Sequence, residues 1–303
     1  GGVSLFFLCF HPHPPFVVAG SYDTENQQSA FEYDKSFIDS GIELSPLMMP
    51  LQKKIYTFPN LDHATFKGLS GLLADSLPDD FGNSVLNAWV ARNGRSPNSI
   101  TPLERLQYTG KRGMGALSYA PPTKTTGFDK SNEIEISSLV SVAQEILNER
   151  QDFGVGIDRK GSEDKDAMLA LMSVGMSAGG ARPKAVLAFN DNFSQARSGQ
   201  VEVPDGFSHY LMKFDGVSEH NKNEETFGDP LGYGAMEYTY YQLAHKLCGI
   251  NMMPTLLLNE GNRRHFVTKR FDRIGNKRVH TQTLNAMAPV TYPHLTLPTN
   301  RKA

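Results

Sequence analysis

The sequence has little cysteine, no surplus of charge and no apolar run that could cross a membrane. Its 303 residues include two cysteines, Cys9 and Cys248, which fit no metal-ligand spacing and no disulfide framework. We therefore expect a reducing compartment, with Cys248 as a small buried hydrophobe. Lysine and arginine together number 30, and aspartate and glutamate 32. The resulting net charge of -2 excludes a broad electrostatic surface for nucleic acid or anionic lipid.

The amino-terminal apolar run, Val3–Phe10, is too short to span a bilayer, and it lacks the basic leader and small-residue cleavage site of a signal peptide. The proline-rich HPHPPF follows at once and stops any helix. We therefore expect an irregular segment over 1–30 and a soluble, cytoplasmic protein with no membrane partner. The nine histidines are scattered without an H-E-x-x-H or comparable cluster, so we expect no metal site and disfavour a metal-dependent hydrolase.

Length and composition indicate a globular chain of about two domains. Segment 31–121 carries two helical patterns. One ends at Gly94, a typical helix terminator, and the other begins at Thr101-Pro102, a pair that suits an N-cap and a first helical position. Turn-forming residues over 122–132 indicate a linker. Segment 133–287 alternates helices with strands such as PKAVLAF and SHYLMKF, which predicts an α/β (α+β) fold class.

The stretch SVGMSAGGARPKAVLAFN, residues 173–190, places a glycine pair between a helix and a strand. It is not a Walker-type phosphate loop, because Lys184 is followed by alanine rather than by serine or threonine. TGKRGMGAL over 109–117 fails the same test and predicts a tight turn. Two interpretations of Gly179-Gly180 stay open. The pair either reverses the chain, or it lets backbone N–H groups close on phosphate oxygens beside the cations that follow.

A lysine inside an apolar strand is a second signal. Lys213 lies in SHYLMKF, where a lysine is rarely buried without a partner. In the following helix, AMEYTYYQLAHKLCGI, Glu237 is one residue off the apolar stripe, so its carboxylate can face the sheet. The stripe consists of Met236, Tyr240, Leu243 and Leu247. In kinase-like folds, a strand lysine paired with a helix glutamate contacts nucleotide phosphates; the alternative is an incidental structural salt bridge.

Six motifs in order resemble the HipA family of serine/threonine protein kinases, the toxin halves of bacterial toxin–antitoxin pairs. They are DSLPDDFG, GKRGMGALSY, MSAGGARPKAVLAF, HYLMKFDG, MEYTYYQLAHKLCGINMMP and HFVTKRFDR. The resemblance covers roughly Phe31 to His280. The resemblance implies a two-lobed, kinase-like architecture. Segment 31–121 would be the added N-terminal subdomain, and 133–287 the small lobe that grips ATP.

The resemblance also implies roles for single residues. The implied nucleotide-binding residues are Gly179, Gly180, Ala181, Arg182, Pro183, Lys184, Lys213, Glu237, Lys269, Arg270 and Phe271. Gly179 to Lys184 would form the loop over the ATP phosphates, Lys213 would contact the α- and β-phosphates, and Glu237 would pair with Lys213. Lys269 to Phe271 would receive adenine, chiefly through backbone groups. Ser177 matches the autophosphorylated position, where a phosphate would add close to two negative charges beside the ATP phosphates.

The family's catalytic carboxylate and Mg²⁺ ligands have no counterpart in this sequence. After RVHTQTLNAM the chain continues as APVTYPHLTLPTNRKA, so we expect 288–303 to lie outside the family and the large lobe to be largely absent. We expect weak ATP binding, no phosphoryl transfer and an exposed apolar surface. The implied partners are a protein substrate and a small helix-turn-helix antitoxin resembling HipB, with DNA contacted only through that antitoxin. The alternative is a non-catalytic nucleotide sensor or antitoxin-binding scaffold.

Overall fold

The structure is a computed structural model that describes residues 3–10, 18–120, 133–149, 168–172, 174–175, 182–218 and 228–289. The predicted linker 122–132 lies outside the described residues. Within the described ranges, helices combine with two five-stranded antiparallel sheets, which confirms the mixed α/β (α+β) class.

The first sheet has the order β4-β3-β2-β1-β5, and its neighbours are all antiparallel. Its strands are β1 (Val3–Phe10), β2 (Val18–Asp23), β3 (Gln28–Tyr33), β4 (Ile55–Tyr56) and β5 (Leu117–Ala120). The helices in this part of the sequence are α1 (Lys35–Ile38), α2 (His63–Phe66), α3 (Gly71–Ala74), α4 (Asp80–Arg92) and α5 (Pro102–Thr109). A core that includes Phe31, Tyr33, Leu72 and Leu106 fills the space between this sheet and its helices.

The structure corrects the expectation of an irregular segment over 1–30. Strand β1 pairs with β2 on one side and with β5 on the other, so it is an inner strand of the sheet. A continuous apolar run of four to eight residues is compatible with a strand. The proline-rich HPHPPF, which the sequence analysis took as the sign of an irregular segment, lies outside the described residues.

The predicted helix boundaries in this region are confirmed. Helix α4 ends at Arg92, and Gly94 follows with a φ of +78°, a conformation that favours glycine. Helix α5 has Pro102 at its first turn, and the Thr101 hydroxyl accepts a hydrogen bond from the Glu104 backbone N–H.

The second sheet has the order β11-β12-β8-β6-β7 and is also antiparallel throughout. Its strands are β6 (Lys184–Asn190), β7 (Ala196–Ser198), β8 (Phe207–Lys213), β11 (Thr255–Glu260) and β12 (Arg263–Lys269). Two short ladders accompany it: β9 (Val217–Ser218) with β10 (Gly228–Asp229), and β13 (Arg273–Ile274) with β14 (Lys277–Arg278).

Three further helices are α6 (Ile136–Glu149), α7 (Tyr233–Gln242) and α8 (Leu284–Met287), and residues 168–172 are helical as well. A π-helical turn, Leu243–Leu247, extends α7. Apolar residues of α4, α6 and 168–172 pack with those of β6 and β8 in one core. Helix α4 therefore belongs in packing to the second sheet, although it precedes the predicted linker in sequence.

Within the described ranges, no helix is both long enough and apolar enough to span a bilayer.

Candidate functional site

The predicted ion pair between strand lysine and helix glutamate is present. Lys213 is the last residue of β8, an inner strand between β6 and β12, and its Nζ donates to Oε1 of Glu237 on α7. The same Nζ lies 5.6 Å from the centroid of the Phe266 ring on β12. The side chains of Lys213 and Glu237 are 26% and 33% exposed. The ammonium is thus held by a carboxylate and still reaches solvent.

Lys184, the other strand lysine of the predicted site, has a different environment. It is the register partner of Lys213 on β6, but its Nζ lies 2.6 Å from Oδ2 of Asp79. The side chains of this pair are 3% and 9% exposed. Asp79 is also the N-cap of α4, where it accepts from the Gly82 N–H at 2.7 Å, and burial raises the pKa of its carboxyl group. The Lys184 ammonium therefore joins the second sheet to helix α4.

Only the strand-side end of the glycine stretch is described. The Arg182 guanidinium lies 5.2 Å from the Tyr233 ring centroid at the start of α7, and the Pro183 carbonyl accepts from the Phe214 N–H at 3.0 Å. Gly179, Gly180, Ala181 and Ser177 lie outside the described residues, so the phosphate loop and the autophosphorylation position stay predictions.

The predicted connector, Lys269 to Phe271, leaves the end of β12. The Lys269 N–H donates to the Pro254 carbonyl and the Arg270 N–H to the His209 carbonyl, both at 2.9 Å. Phe271 is exposed. The Arg270 side chain is buried and donates to both carboxylate oxygens of Asp272, at 2.7 and 2.6 Å. Its guanidinium therefore faces the protein interior, and any contact with adenine at this residue would involve the backbone.

Asp272 and Arg273, which the sequence analysis did not assign, connect this motif to the first sheet. Oδ2 of Asp272 accepts from Arg273 at 2.8 Å and from the Gly115 N–H at 2.7 Å. Arg273 and Arg278 in turn donate to the carbonyls of Gly113 and Gly115. The GKRGMG stretch is thus a tight turn, as predicted, and it also binds two arginines. The sequence signal for this network was KRFDR, in which four of five consecutive residues are charged.

Burial and charge shift the pKa values of this network in opposite directions. Burial raises the pKa of Asp272, but the adjacent Arg270 and Arg273 outweigh it and leave the pKa lowered. Burial lowers the pKa of Arg273 to about 9 and that of Arg278 to about 10. Since the carboxylate is charged and buried, the arginines that surround it are needed to offset its desolvation.

Two cavities lie on the second sheet. The larger, about 500 Å³, is lined by residues such as Glu135, Phe193 and Glu260 and by none of the predicted nucleotide-binding residues. The smaller, about 200 Å³, borders the connector through His209, Lys269 and Arg273. Burial lowers the pKa of His209, whose Nδ1 lies 2.9 Å from the Gly199 carbonyl.

These observations define a mixed α/β protein in which a strand lysine, held by a helix glutamate, is the register partner of Lys184 on the neighbouring strand. Comparison with known families agrees. The HipA N-terminal domain matches residues 17–120, and the HipA-like C-terminal domain matches residues 176–298. The two ranges take in most of the chain in the family's order, and the chain belongs to the HipA family. The second match extends into segment 288–303, which the sequence analysis placed outside the family.

A solved structure that resembles this chain is HipA of Shewanella oneidensis MR-1, described as a toxin–antitoxin system complex of HipA, HipB and operator DNA. The identity is 18% and the TM-score 0.48, and the alignment covers 92% of this chain and 54% of the other. The chain thus spans about half the length of that HipA chain. No curated protein sequence matches the present chain.

Proposed function

We propose that this chain is the ATP-gripping part of a HipA-family serine/threonine protein kinase. The observation that carries the proposal is the Lys213–Glu237 ion pair between β8 and α7. A strand ammonium oriented by a helix carboxylate is the arrangement by which kinases contact nucleotide phosphates, and HipA is a family known for kinase activity.

Several described residues support the proposal of a nucleotide site. Lys213 and Arg182 supply two accessible cations, one on β8 and one against the first residue of α7. Phosphate oxygens accept hydrogen bonds from such groups. The exposed ring of Phe271 offers an apolar surface beside the connector. In this proposal Lys213 and Arg182 bind the phosphates, Glu237 orients Lys213, and the backbone of Lys269 to Phe271 receives adenine.

In this proposal Lys184 has a smaller role in phosphate binding than Lys213. Its ammonium is buried against Asp79, so a phosphate contact would require that ion pair to separate. We propose that Gly179 to Ala181 form the loop over the phosphates, and that phosphorylation of Ser177 displaces this loop by charge repulsion.

Within the described ranges, no three His, Cys, Asp or Glu side chains lie close enough together to hold a metal ion. We assign no step to Mg²⁺. Because the family's catalytic carboxylate has no counterpart in this sequence, we propose that the chain binds ATP without transferring phosphate. The second candidate function is a non-catalytic nucleotide sensor or antitoxin-binding scaffold, which the missing counterpart of the catalytic carboxylate also favours. From family membership alone we extend the proposal to a protein substrate and a helix-turn-helix antitoxin resembling HipB. DNA would then be contacted through the antitoxin, since the net charge is -2.

Calorimetric titration with ATP tests the proposal. We expect wild-type protein to bind, Lys213→Met to lose at least about tenfold in affinity, and Lys246→Met, an exposed lysine of the π-helical turn, to bind like wild type. Equal affinity of wild type and Lys213→Met would remove the site. Transfer of phosphate from ATP to a protein serine by this chain would contradict the non-catalytic part of the proposal.

A further inference from the structure

Asp215 joins three elements around the Lys213–Glu237 pair. It lies two residues after Lys213 and is 1% exposed. Its Oδ1 accepts from the backbone N–H of Gly232 at 2.8 Å and of Gly234 at 3.1 Å, at the start of α7. Its Oδ2 accepts from the Arg264 N–H on β12 at 3.0 Å. One carboxylate therefore links the end of β8 to the first turn of α7 and to β12.

The start of α7 depends on this carboxylate for its cap. Gly232 occupies the N-cap position with a φ of +99° and has no side chain to accept from the first turn. The first N–H groups of a helix have no partner within the helix, so a capping acceptor has to come from elsewhere. Asp215 supplies it, and its own backbone N–H donates to Nδ1 of His265 at 3.0 Å, which fixes the carboxylate in turn.

The helix also approaches β12 more closely than a side chain would permit. A Cβ on Gly234 would lie 2.0 Å from the carbonyl oxygen of Arg264, a distance far inside van der Waals contact. Glu237 follows Gly234 by three residues, close to one helical turn, so it lies on the same side of α7. The opposite side, which includes Met236 and Tyr240, is exposed. Within the described chain, α7 is therefore positioned from its Gly234 side.

We infer that Asp215 is a positioning residue: by anchoring the first turn of α7, it places Glu237 against Lys213. One consequence of the inference rests on the proposed function: Asp215 affects ATP affinity without contacting ATP. Its structural part, the geometry of the ion pair, does not require nucleotide.

A double-mutant cycle separates positioning from a general effect on folding. Asp215→Asn replaces an acceptor oxygen by an NH₂ group that faces backbone donors, so α7 should shift while the fold persists. We expect Asp215→Asn to lower ATP affinity about tenfold in wild type, and to have little further effect when Glu237→Gln is already present. Asp205→Asn, at an exposed aspartate, is the matched control and should bind like wild type. Additive losses would overturn the inference, because Asp215 would then act independently of Glu237.

A second measurement works without ATP. The NMR signal of the Lys213 ammonium group, assigned by its loss in Lys213→Met, should shift in Glu237→Gln and shift in the same direction in Asp215→Asn. Should Asp215→Asn fail to fold, Gly234→Ala serves instead, since it displaces α7 while the carboxylate stays. A wild-type Lys213 signal in the folded variant would overturn the inference. If no protein binds ATP but the signal shifts as described, the proposed function fails and the positioning role stands.

Discussion

At the scale of single residues, the ion pairs differ in burial and so in what they contribute. A partly exposed pair such as Lys213–Glu237 contributes at most about 1 kcal/mol to stability, because water screens the charges. The Lys184–Asp79 pair is buried on both sides. Removal of one partner of a buried pair leaves a desolvated charge and costs about 3–5 kcal/mol. Of the two strand lysines, Lys213 thus contributes less to the stability of the fold, which favours a role in binding.

This contrast predicts opposite phenotypes for the two lysines. Lys184→Met should lower the free energy of unfolding by about 3–5 kcal/mol, since Asp79 is left buried without its partner. Asp79→Asn in the same chain should recover part of that loss, because no buried charge remains. Lys213→Met should change stability by less than about 1 kcal/mol. Urea denaturation measures all three. If Lys184→Met is as stable as wild type but loses ATP affinity, Lys184 has to be assigned to the nucleotide site.

Residue chemistry explains which parts of the site could be predicted. A lysine in an apolar strand needs a partner, and Glu237 is that partner, although the apolar stripe used to orient Glu237 faces solvent and not the sheet. The Asp79–Lys184 pair and the contact of Asp272 with Gly115 could not be predicted, because each joins residues more than 100 positions apart. Cys248 was expected to be buried and is exposed, because the end of the π-helical turn beside it is uncovered.

At the scale of elements, the β13–β14 hairpin and the loop before β5 form one polar contact between the two sheets. Gly115 lies in this loop with a φ of +71°, and a Cβ there would lie 2.7 Å from Oγ1 of Thr281. Here glycine permits close approach of backbone to arginine and threonine side chains. Apolar periodicity predicts where helices and strands lie in the sequence. It does not predict which distant elements contact each other in the fold.

Asp272→Ala tests whether this contact holds the two sheets together. The substitution leaves Arg270 and Arg273 buried without their carboxylate, so we expect a loss of about 3–5 kcal/mol in the free energy of unfolding. Asp205→Ala, at an exposed site, should change it by less than about 0.5 kcal/mol. Urea denaturation of both variants gives the comparison. Equal stability would show that the network contributes nothing net.

At the scale of the whole molecule, α7 and its π-helical turn expose the apolar stripe that the sequence identified. Tyr240 is 67% and Leu247 76% exposed, and Met236 and Leu243 are exposed as well. The expectation of an exposed apolar surface is thus confirmed. Periodicity located the stripe, but periodicity alone does not say whether a stripe faces the core or solvent.

An exposed apolar surface of this kind favours association. We expect the protein to self-associate as its concentration rises, and the double substitution Leu243→Lys, Leu247→Lys to shift it toward monomer without loss of the fold. Sedimentation velocity over a concentration series measures this, with Leu47→Lys, an exposed leucine elsewhere, as control. The same association in the helix variant and in wild type would show that another surface is responsible.

The central claim is that the Lys213 amino group lies against the phosphates of ATP. An acyl-phosphate derivative of ATP tests it most directly, because a lysine beside the phosphates attacks the acyl carbon, forms an amide and releases ATP. Peptide mass spectrometry should find the acyl group on Lys213, and excess ATP should prevent the modification. An unmodified Lys213, or a modification that excess ATP does not reduce, would contradict the account.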